Sequence, residues 1–232
     1  MKFENKLIKG KILKRYKRFL SDIELEDGSV VVAHTANTGS MKTCWEPGWN
    51  VLLSHHDNPK RKLKYSLELT HNGETWIGVN TSLPNKIAIE GIQNGVVKEL
   101  QGYKTIKPEA TVGKSRIDIL LSNEGEDPCY VEVKNVTLKG EENEVLFPDG
   151  VSTRGQKHLE ELMSLKKQGI RACMLFVVNR EDAESFSTAD HIDPVYGELL
   201  RKANDVGVEI LVYRCALSPK GIALEQAINL NI

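Results

Sequence analysis

Tyr130-Val131-Glu132-Val133-Lys134-Asn135, preceded by Ser115-Arg116-Ile117-Asp118-Ile119-Leu120-Leu121, reads as two β-strands that carry charges among apolar residues. Side chains alternate across a strand, so Glu132 and Lys134 share one face while Val131 and Val133 take the other. If the two strands pair as a meander, Asp118 faces the same pocket. Carboxylates converging from neighbouring strands suit a hard cation such as Mg²⁺ (or Mn²⁺), whose remaining positions go to water and phosphate oxygens. A lysine beside them can hold an attacking water or stabilise charge developing on a phosphate. The same pattern also fits a buried Asp–Lys–Glu ion-pair network or a solvent-facing sheet, because charges in such strands are costly without partners.

Outward from these strands the chain has an α/β order. Ser82-Leu83-Pro84 leads into an apolar-periodic stretch over Ile87–Leu100, broken by Gly91 and Asn94-Gly95. Thr105–Val112 and Ser115–Ser122 form a strand pair joined around Gly113, and Cys129–Leu138 is the third strand. Ser152 or Thr153 opens a helix to Gln168, closed by Gly169. Ala172–Val178 is a continuous apolar run, the signature of a strand buried on both faces. Asp193-Pro194 starts a helix through Ala203, and Val208–Cys215 is a second buried strand. The order predicts a C-terminal α/β domain with a mixed sheet over residues 83–232.

Two further groups belong to this domain's expected chemistry. Arg154, Gln156, Lys157 and His158 cluster where a helix starts, and Arg154, Lys157 and His158 share a face at spacings of three and four. Helix N-termini attract phosphate, so this cluster is expected to face DNA, the alternative being a solvated basic face. A third acid for the metal is expected at Glu99, with Glu90 behind it and Glu109 as another candidate.

Residues 1–82 follow a different pattern. Candidate strands Leu7–Leu13, Phe19–Leu25, Val30–His34, Asn50–His55, Tyr65–Thr70 and Glu74–Val79 are separated by turn signals such as Glu26-Asp27-Gly28-Ser29. Such short strands predict an all-β, OB-like barrel, although other small barrels fit the same spacing. This segment holds 13 Lys and Arg against 9 Asp and Glu, whereas the rest of the chain holds 18 against 23. Its cations concentrate around Arg15, Lys17 and Arg18 and around Lys60 and Arg61, interleaved with Tyr16, Phe19 and Tyr65. Cations neutralise phosphates and aromatics stack on bases, so both segments are candidate DNA-binding surfaces; solvated hairpins are the bland reading. The loop Asn37-Thr38-Gly39-Ser40 fits a tight barrel turn, or a backbone that approaches a phosphate or the neighbouring domain.

Composition sets the outer limits. The chain has 232 residues, 40% of them apolar, which excludes disorder as its main state. No stretch reaches the roughly 18 uninterrupted apolar residues of a membrane span. The N-terminus, Met1-Lys2-Phe3-Glu4-Asn5-Lys6, lacks the apolar core of a secretory signal. Cys44, Cys129, Cys173 and Cys215 form no Cys-x-x-Cys pair, so reduced structural thiols and a cytoplasmic protein are expected.

Asp118…Glu132-Val133-Lys134 resembles the PD-(D/E)xK signature of restriction-endonuclease-like nucleases. More specifically, the chain is similar along its length to the sugar fermentation stimulation protein A family. The similarity is carried by Arg15-Tyr16-Lys17-Arg18-Phe19-Leu20, Ala33-His34-Thr35-Ala36-Asn37-Thr38-Gly39-Ser40-Met41, Ser115-Arg116-Ile117-Asp118, Glu132-Val133-Lys134-Asn135-Val136-Thr137-Leu138 and the stretch from Phe147 to Leu159. Two departures are Thr35-Ala36, where the family has Cys-Pro, and Gly150, where it has Ala. The resemblance implies an N-terminal OB-like domain, a C-terminal restriction-endonuclease-like domain, and DNA binding without strong sequence preference. It also implies a link to sugar (maltose) metabolism. Three functions stay open: a DNA-binding protein keeping a Mg²⁺ site, an active metal-dependent DNase, and a catalytically silent regulator binding DNA or a protein. A homodimer is compatible with each.

Overall fold

The computed structural model describes residues 1–112 and 115–232; the expected turn residue Gly113 lies outside them. The chain starts with β1 (Ile8–Tyr16), β2 (Leu20–Leu25), β3 (Val30–His34), β4 (Asn50–His55), β5 (Tyr65–His71) and β6 (Trp76–Gly78). Strands in the order β3-β2-β1-β4-β5 close into a barrel through the parallel pairs Ala33–Tyr65 and His34–Ser66, and β6 extends it beyond β5. This is the OB architecture. Period-2 alternation builds its interior: Ile12, Ile23, Val51, Leu53 and Leu67 are buried, while Lys11 and Glu24 stay exposed. The β1–β2 hairpin turns through Lys17 and Arg18, both at positive φ (48° and 66°).

The second half runs α1 (Pro84–Gln93), a 3₁₀ turn (Lys98–Leu100), β7 (Thr105–Val112), β8 (Ser115–Ser122), β9 (Cys129–Val136), β10 (Leu138–Lys139) and β11 (Glu144–Phe147). It continues with α2 (Thr153–Lys167), β12 (Arg171–Val178), β13 (Ser185–Thr188), α3 (Pro194–Asp205), β14 (Glu209–Ser218), β15 (Gly221–Ala227) and β16 (Asn229–Asn231). The main sheet has the order β15-β14-β12-β9-β8-β7, with β9, β12 and β14 parallel and the outer strands antiparallel. α1 covers one face through Ile87, Ala88 and Ile92, packed with Val131, Val133 and Leu175. α2 and α3 cover the other through Leu159, Leu162 and Leu200, packed with Met174 and Phe176. β12 feeds alternate residues into both cores, which is why its sequence is apolar without interruption. Among the described residues no helix is long and apolar enough to cross a membrane.

Beyond shifts of strand ends in the barrel, α1 stops at Gln93 instead of running to Leu100, and the sequence expectation differs in two further places. β9 does not run to Leu138: it stops at Val136, whose carbonyl accepts from Asn179 N–H, and the chain enters a second sheet, β10-β11-β13-β16. Neither that sheet nor β15 is announced by the sequence, because strands such as Ser185-Phe186-Ser187-Thr188 are short and polar and exist only through their partners.

Barrel and sheet are joined through the segment after β12. Gly78 N–H donates to Asn179 O at 2.9 Å, and a Cβ on Gly78 would meet the Asn179 side chain at the same distance, so glycine permits the approach. Arg180 is only 2% exposed. Its Nε and one terminal nitrogen donate to the two oxygens of Asp182 at 2.8 Å, and the other donates to Thr43 O (2.9 Å) and Thr137 O (3.0 Å). One guanidinium thus satisfies a barrel carbonyl, a sheet carbonyl and a carboxylate. Arg180→Ala strands all three, so it is expected to cost about 3–5 kcal/mol in denaturant unfolding, without changing the surface around Glu132.

Candidate active site

A cleft forms where β8 and β9 part. Their last ladder pair is Ile119–Val131. Beyond it, the Asp118 carboxylate accepts from Val133 N–H at 2.9 Å and, on its other oxygen, from the Asn85 amide at 2.9 Å. Pro84 at the first turn of α1 fixes the entry that brings Asn85 and Lys86 to this point. The resulting cleft, about 680 Å³, is lined by Asp118, Glu132, Lys134, Arg154, His158 and Lys86 among others. Glu109 also reaches it: it lies between the pairs Pro108–Ile119 and Ala110–Ile117, opposite Asp118, with φ at 58°. Its carboxylate is held by Arg116.

Glu132 is the buried centre, 2% exposed. Its Oε1 accepts from Lys134 Nζ at 2.5 Å and from His158 Nδ1. Arg154 Nε–H, 3.4 Å from His158 Nε2, is oriented to donate there, which fits a histidine carrying its proton on Nδ1. Ser152 caps α2 by accepting from Gly155 N–H, and this fixes the first turn from which Arg154 and His158 project.

The two carboxylates are driven apart electrostatically. Burial, then the negative charge of Glu132, raises the pKa of Asp118 against the pull of Val133 N–H and Asn85. Burial also works to raise Glu132, but the His158 hydrogen bond and the charge of Lys134 outweigh it and hold Glu132 below the usual range. Divergent pKa values in neighbouring acids are a mark of functional sites. Glu132 Oε2 is buried with no partner among the described residues. An unpaired carboxylate oxygen beside a second acid is a donor set that fits a hard divalent cation. Among the described residues no group of three or more His, Cys, Asp or Glu is placed to hold a metal ion on its own, so such a cation would complete its shell with water and substrate oxygens, as Mg²⁺ commonly does.

Of the residues expected from sequence, the structure brings together Asp118, Glu132, Lys134, Arg154 and His158, and Glu109 joins them on the cleft lining. Glu99 is placed elsewhere: its carboxylate accepts from Tyr213 at 2.7 Å, because α1 ends at Gln93 rather than continuing over the strands. Gln156 donates to both oxygens of Asp193, the N-cap of α3, so it ties two helices together instead of facing DNA. Arg15 is also committed: one terminal nitrogen donates to the carbonyls of Arg18, Asn37 and Gly39, clamping the Asn37–Ser40 loop. That loop meets the other half of the chain, with Ser40 Oγ donating to Asp149 O at 3.2 Å. Arg61 donates to Ser66 Oγ at 3.0 Å. Lys17, Arg18, Lys60 and Lys157 remain exposed, although Arg18 Nε also donates to Thr38 O. Asn85 and Lys86 escaped the sequence reading; the signal that could have found them was Pro84 placing them on the first turn of a helix. Glu109's left-handed backbone has no sequence signal.

The two halves of the chain each match a known family model. Residues 13–79 match the one described as the SfsA N-terminal OB domain, and residues 82–221 match the sugar fermentation stimulation protein RE domain. The chain belongs to the sugar fermentation stimulation protein (SfsA) family. It is 54% identical to the sugar fermentation stimulation protein homolog of Geotalea uraniireducens, over 97% of both chains. It is 50% identical to the homolog of Pseudoalteromonas atlantica over the full length of each. The solved structure of Pyrococcus furiosus SfsA in complex with Ca²⁺ matches with a TM-score of 0.89 at 27% identity, covering 100% of this chain and 98% of that one. This SfsA-family chain absorbs its two departures simply. Thr35 is fully buried with its hydroxyl 2.8 Å from that of Ser21, and a Cβ at Gly150 would meet nothing within 4 Å.

The raised pKa of Asp118 has a consequence for stability. The folded chain is penalised when Asp118 ionises, and the penalty disappears as pH falls through the raised folded value toward the ordinary carboxylate value. Asp118→Asn removes the charge while an amide can still accept from Val133 and pair with a flipped Asn85. Its Tm at pH 7 should therefore exceed that of the wild type, by about 2–4 °C for each kcal/mol relieved. The difference should close in acid, as read by scanning calorimetry over a pH series.

Proposed function

We propose that this SfsA-family chain binds DNA without strong sequence preference and carries a Mg²⁺-dependent, nuclease-type site at Asp118, Glu132 and Lys134. In this reading residues 1–82 form the nucleic-acid-binding domain and residues 83–232 the nuclease-like domain. The observation that carries it is the pairing of two acids with opposite pKa shifts and one unpartnered buried oxygen, in an open cleft edged by Lys86, Arg154 and His158. The Ca²⁺ in the Pyrococcus furiosus structure supports a hard, oxygen-seeking cation in the family. A cytoplasmic setting belongs to the same reading, supported by four free, buried cysteines.

Asp118 and Glu132 would hold the cation, which when bound supplies Lewis-acid polarisation of a phosphoryl oxygen and neutralises charge on it. The protein's own side chains do the rest. Lys134 places an ammonium beside Glu132, where it positions the attacking water and stabilises charge growing on the phosphate. His158, projecting from α2, orients Glu132. Arg154 and Lys86 neutralise flanking phosphates, and Lys17, Arg18 and Lys60 extend that positive track over the barrel.

The test is a Mg²⁺- or Mn²⁺-dependent cleavage assay on single- and double-stranded DNA, beside binding at fixed salt. Lys134→Ala should lower the cleavage rate on the order of 10²-fold or more, with DNA affinity little changed. Metal-dependent cleavage absent on every substrate, with binding intact, would favour a silent regulator; equal trace activity in wild type and variant would remove the catalytic assignment. In calorimetry, Asp118→Asn and Glu132→Gln should each lose Mg²⁺ or Mn²⁺ uptake while retaining DNA binding.

The binding surface is tested separately. Replacing Lys17, Arg18 and Lys60 with Ala, leaving the loop clamp Arg15 untouched, should flatten the log–log salt dependence of DNA affinity by about 0.9 for each phosphate left without its cation. An unchanged slope removes the hairpin from the DNA surface.

A further inference from the structure

A second unpartnered polar atom lies beneath the cleft. α3 presents Tyr196, which is fully buried, to a cluster of aromatic rings with Phe147, Phe176 and Phe186. The other three rings carry no polar atom, and packing alone would be served by a fourth phenylalanine. Tyr196 instead buries a hydroxyl that has no hydrogen-bond partner among the described residues. A buried donor without a partner is expensive, so its presence asks for an explanation.

The neighbours of Tyr196 point to the cleft floor. A Cβ built on Gly155 would sit 3.0 Å from Tyr196 Cε2, and Gly155 itself lines the cleft, one turn before His158 on α2. Glycine at this position lets the ring edge lie directly under the first turn of α2. His158, from the same helix, grips Glu132 Oε1. The other oxygen, Oε2, is the unpartnered acceptor of the cleft. Burial, and next the charge of Glu132 ahead of that of Asp193, keep the Tyr196 phenol well above its ordinary range, so at neutral pH it holds a proton it can donate. Asp193 has its oxygens occupied by Ser152 N–H, Tyr196 N–H and the Gln156 amide, which leaves Glu132 as the acceptor in need.

We infer that Tyr196 is a positioning residue for the cation site: its hydroxyl donates through one trapped water to Glu132 Oε2, and so fixes the orientation in which that oxygen meets a divalent cation. The inference rests on the nuclease-type reading of the cleft and deepens it by adding a support from α3 that lines no part of the cleft surface. Lys134 and His158 then restrain one oxygen and Tyr196 the other, leaving the carboxylate little freedom to rotate. Outer groups of this kind orient metal ligands, and their loss commonly costs about 10–100-fold in metal affinity.

The experiment compares wild type, Tyr196→Phe and Tyr196→Leu as full-length proteins, with Mn²⁺ as the probe. Three readouts are taken: Tm without metal, Mn²⁺ affinity by calorimetry, and the electron paramagnetic resonance spectrum of bound Mn²⁺. Tyr196→Phe deletes one oxygen and keeps the packing, so its metal-free Tm should equal or exceed the wild-type value. Its Mn²⁺ affinity should nevertheless fall about tenfold, with a changed spectrum for the ion that remains. Tyr196→Leu should lose both stability and affinity, which marks what a purely structural defect looks like. Wild-type Mn²⁺ affinity and spectrum in Tyr196→Phe would overturn the positioning role and leave the nuclease-type reading standing. Failure of the wild type itself to bind Mn²⁺ would overturn both.

Discussion

The architecture turns on one buried guanidinium. Arg180 sits just past β12, the strand that fills both cores, and its donors are shared among Thr43 of the barrel, Thr137 between β9 and β10, and the Asp182 carboxylate. A buried charge is tolerable only when its hydrogen bonds are met, so these acceptors fix where the barrel lies against the sheet. Around it, Gly78 backs onto Asn179, Cys44 Sγ approaches Thr137 O, and Thr75 reaches Glu181. The same few residues also end β9 and turn the chain toward the second sheet. Domain docking and sheet termination are therefore one event, set two residues beyond the most apolar strand of the chain.

The cleft follows from a second constraint, the parting of β8 from β9. A continuous ladder would have satisfied Val133 N–H with a backbone carbonyl. With the strands apart, the Asp118 carboxylate accepts that hydrogen instead, and an acid is held in a position that burial disfavours. Glu132 is stabilised by cations that Asp118 does not share to the same degree. Two carboxylates on adjacent strands thus acquire different proton affinities from backbone geometry and from one histidine. Such asymmetry allows a single small site to present both a firm anion and a reluctant one at neutral pH.

How much of this is legible in the sequence depends on how local each signal is. The barrel strands and the buried strand at Ala172–Val178 are written in alternation and in apolar runs, and Ser152 and Asp193 cap the helices as their positions suggest. Asp118, Glu132 and Lys134 are visible because charges interrupt apolar strands. What is not legible depends on partners distant in the chain. Glu99 reads as an acid over the strands, but the helix stops at Gln93 and leaves it with Tyr213. Gln156 reads as a DNA contact, but Asp193, 37 residues on, claims its amide. Glu109 is named from sequence as a candidate acid and does reach the cleft, but the left-handed backbone that sets it opposite Asp118 is announced by no residue type.

Arg15 illustrates what this means for sequence variation. Three carbonyls converge on one terminal nitrogen of its planar fork, and through them it anchors the loop that touches Asp149, three residues before the Ser152 cap of α2. A lysine would keep the charge, but its ammonium is more strongly hydrated than a guanidinium and is costlier to desolvate where Arg15 is partly buried against that loop. Lys17 and Lys60, exposed and unclamped, have no such requirement and exchange with arginine at little cost. Neighbouring basic positions on the barrel thus differ in exchangeability: one is defined by how readily its charge gives up water, the others only by their sign.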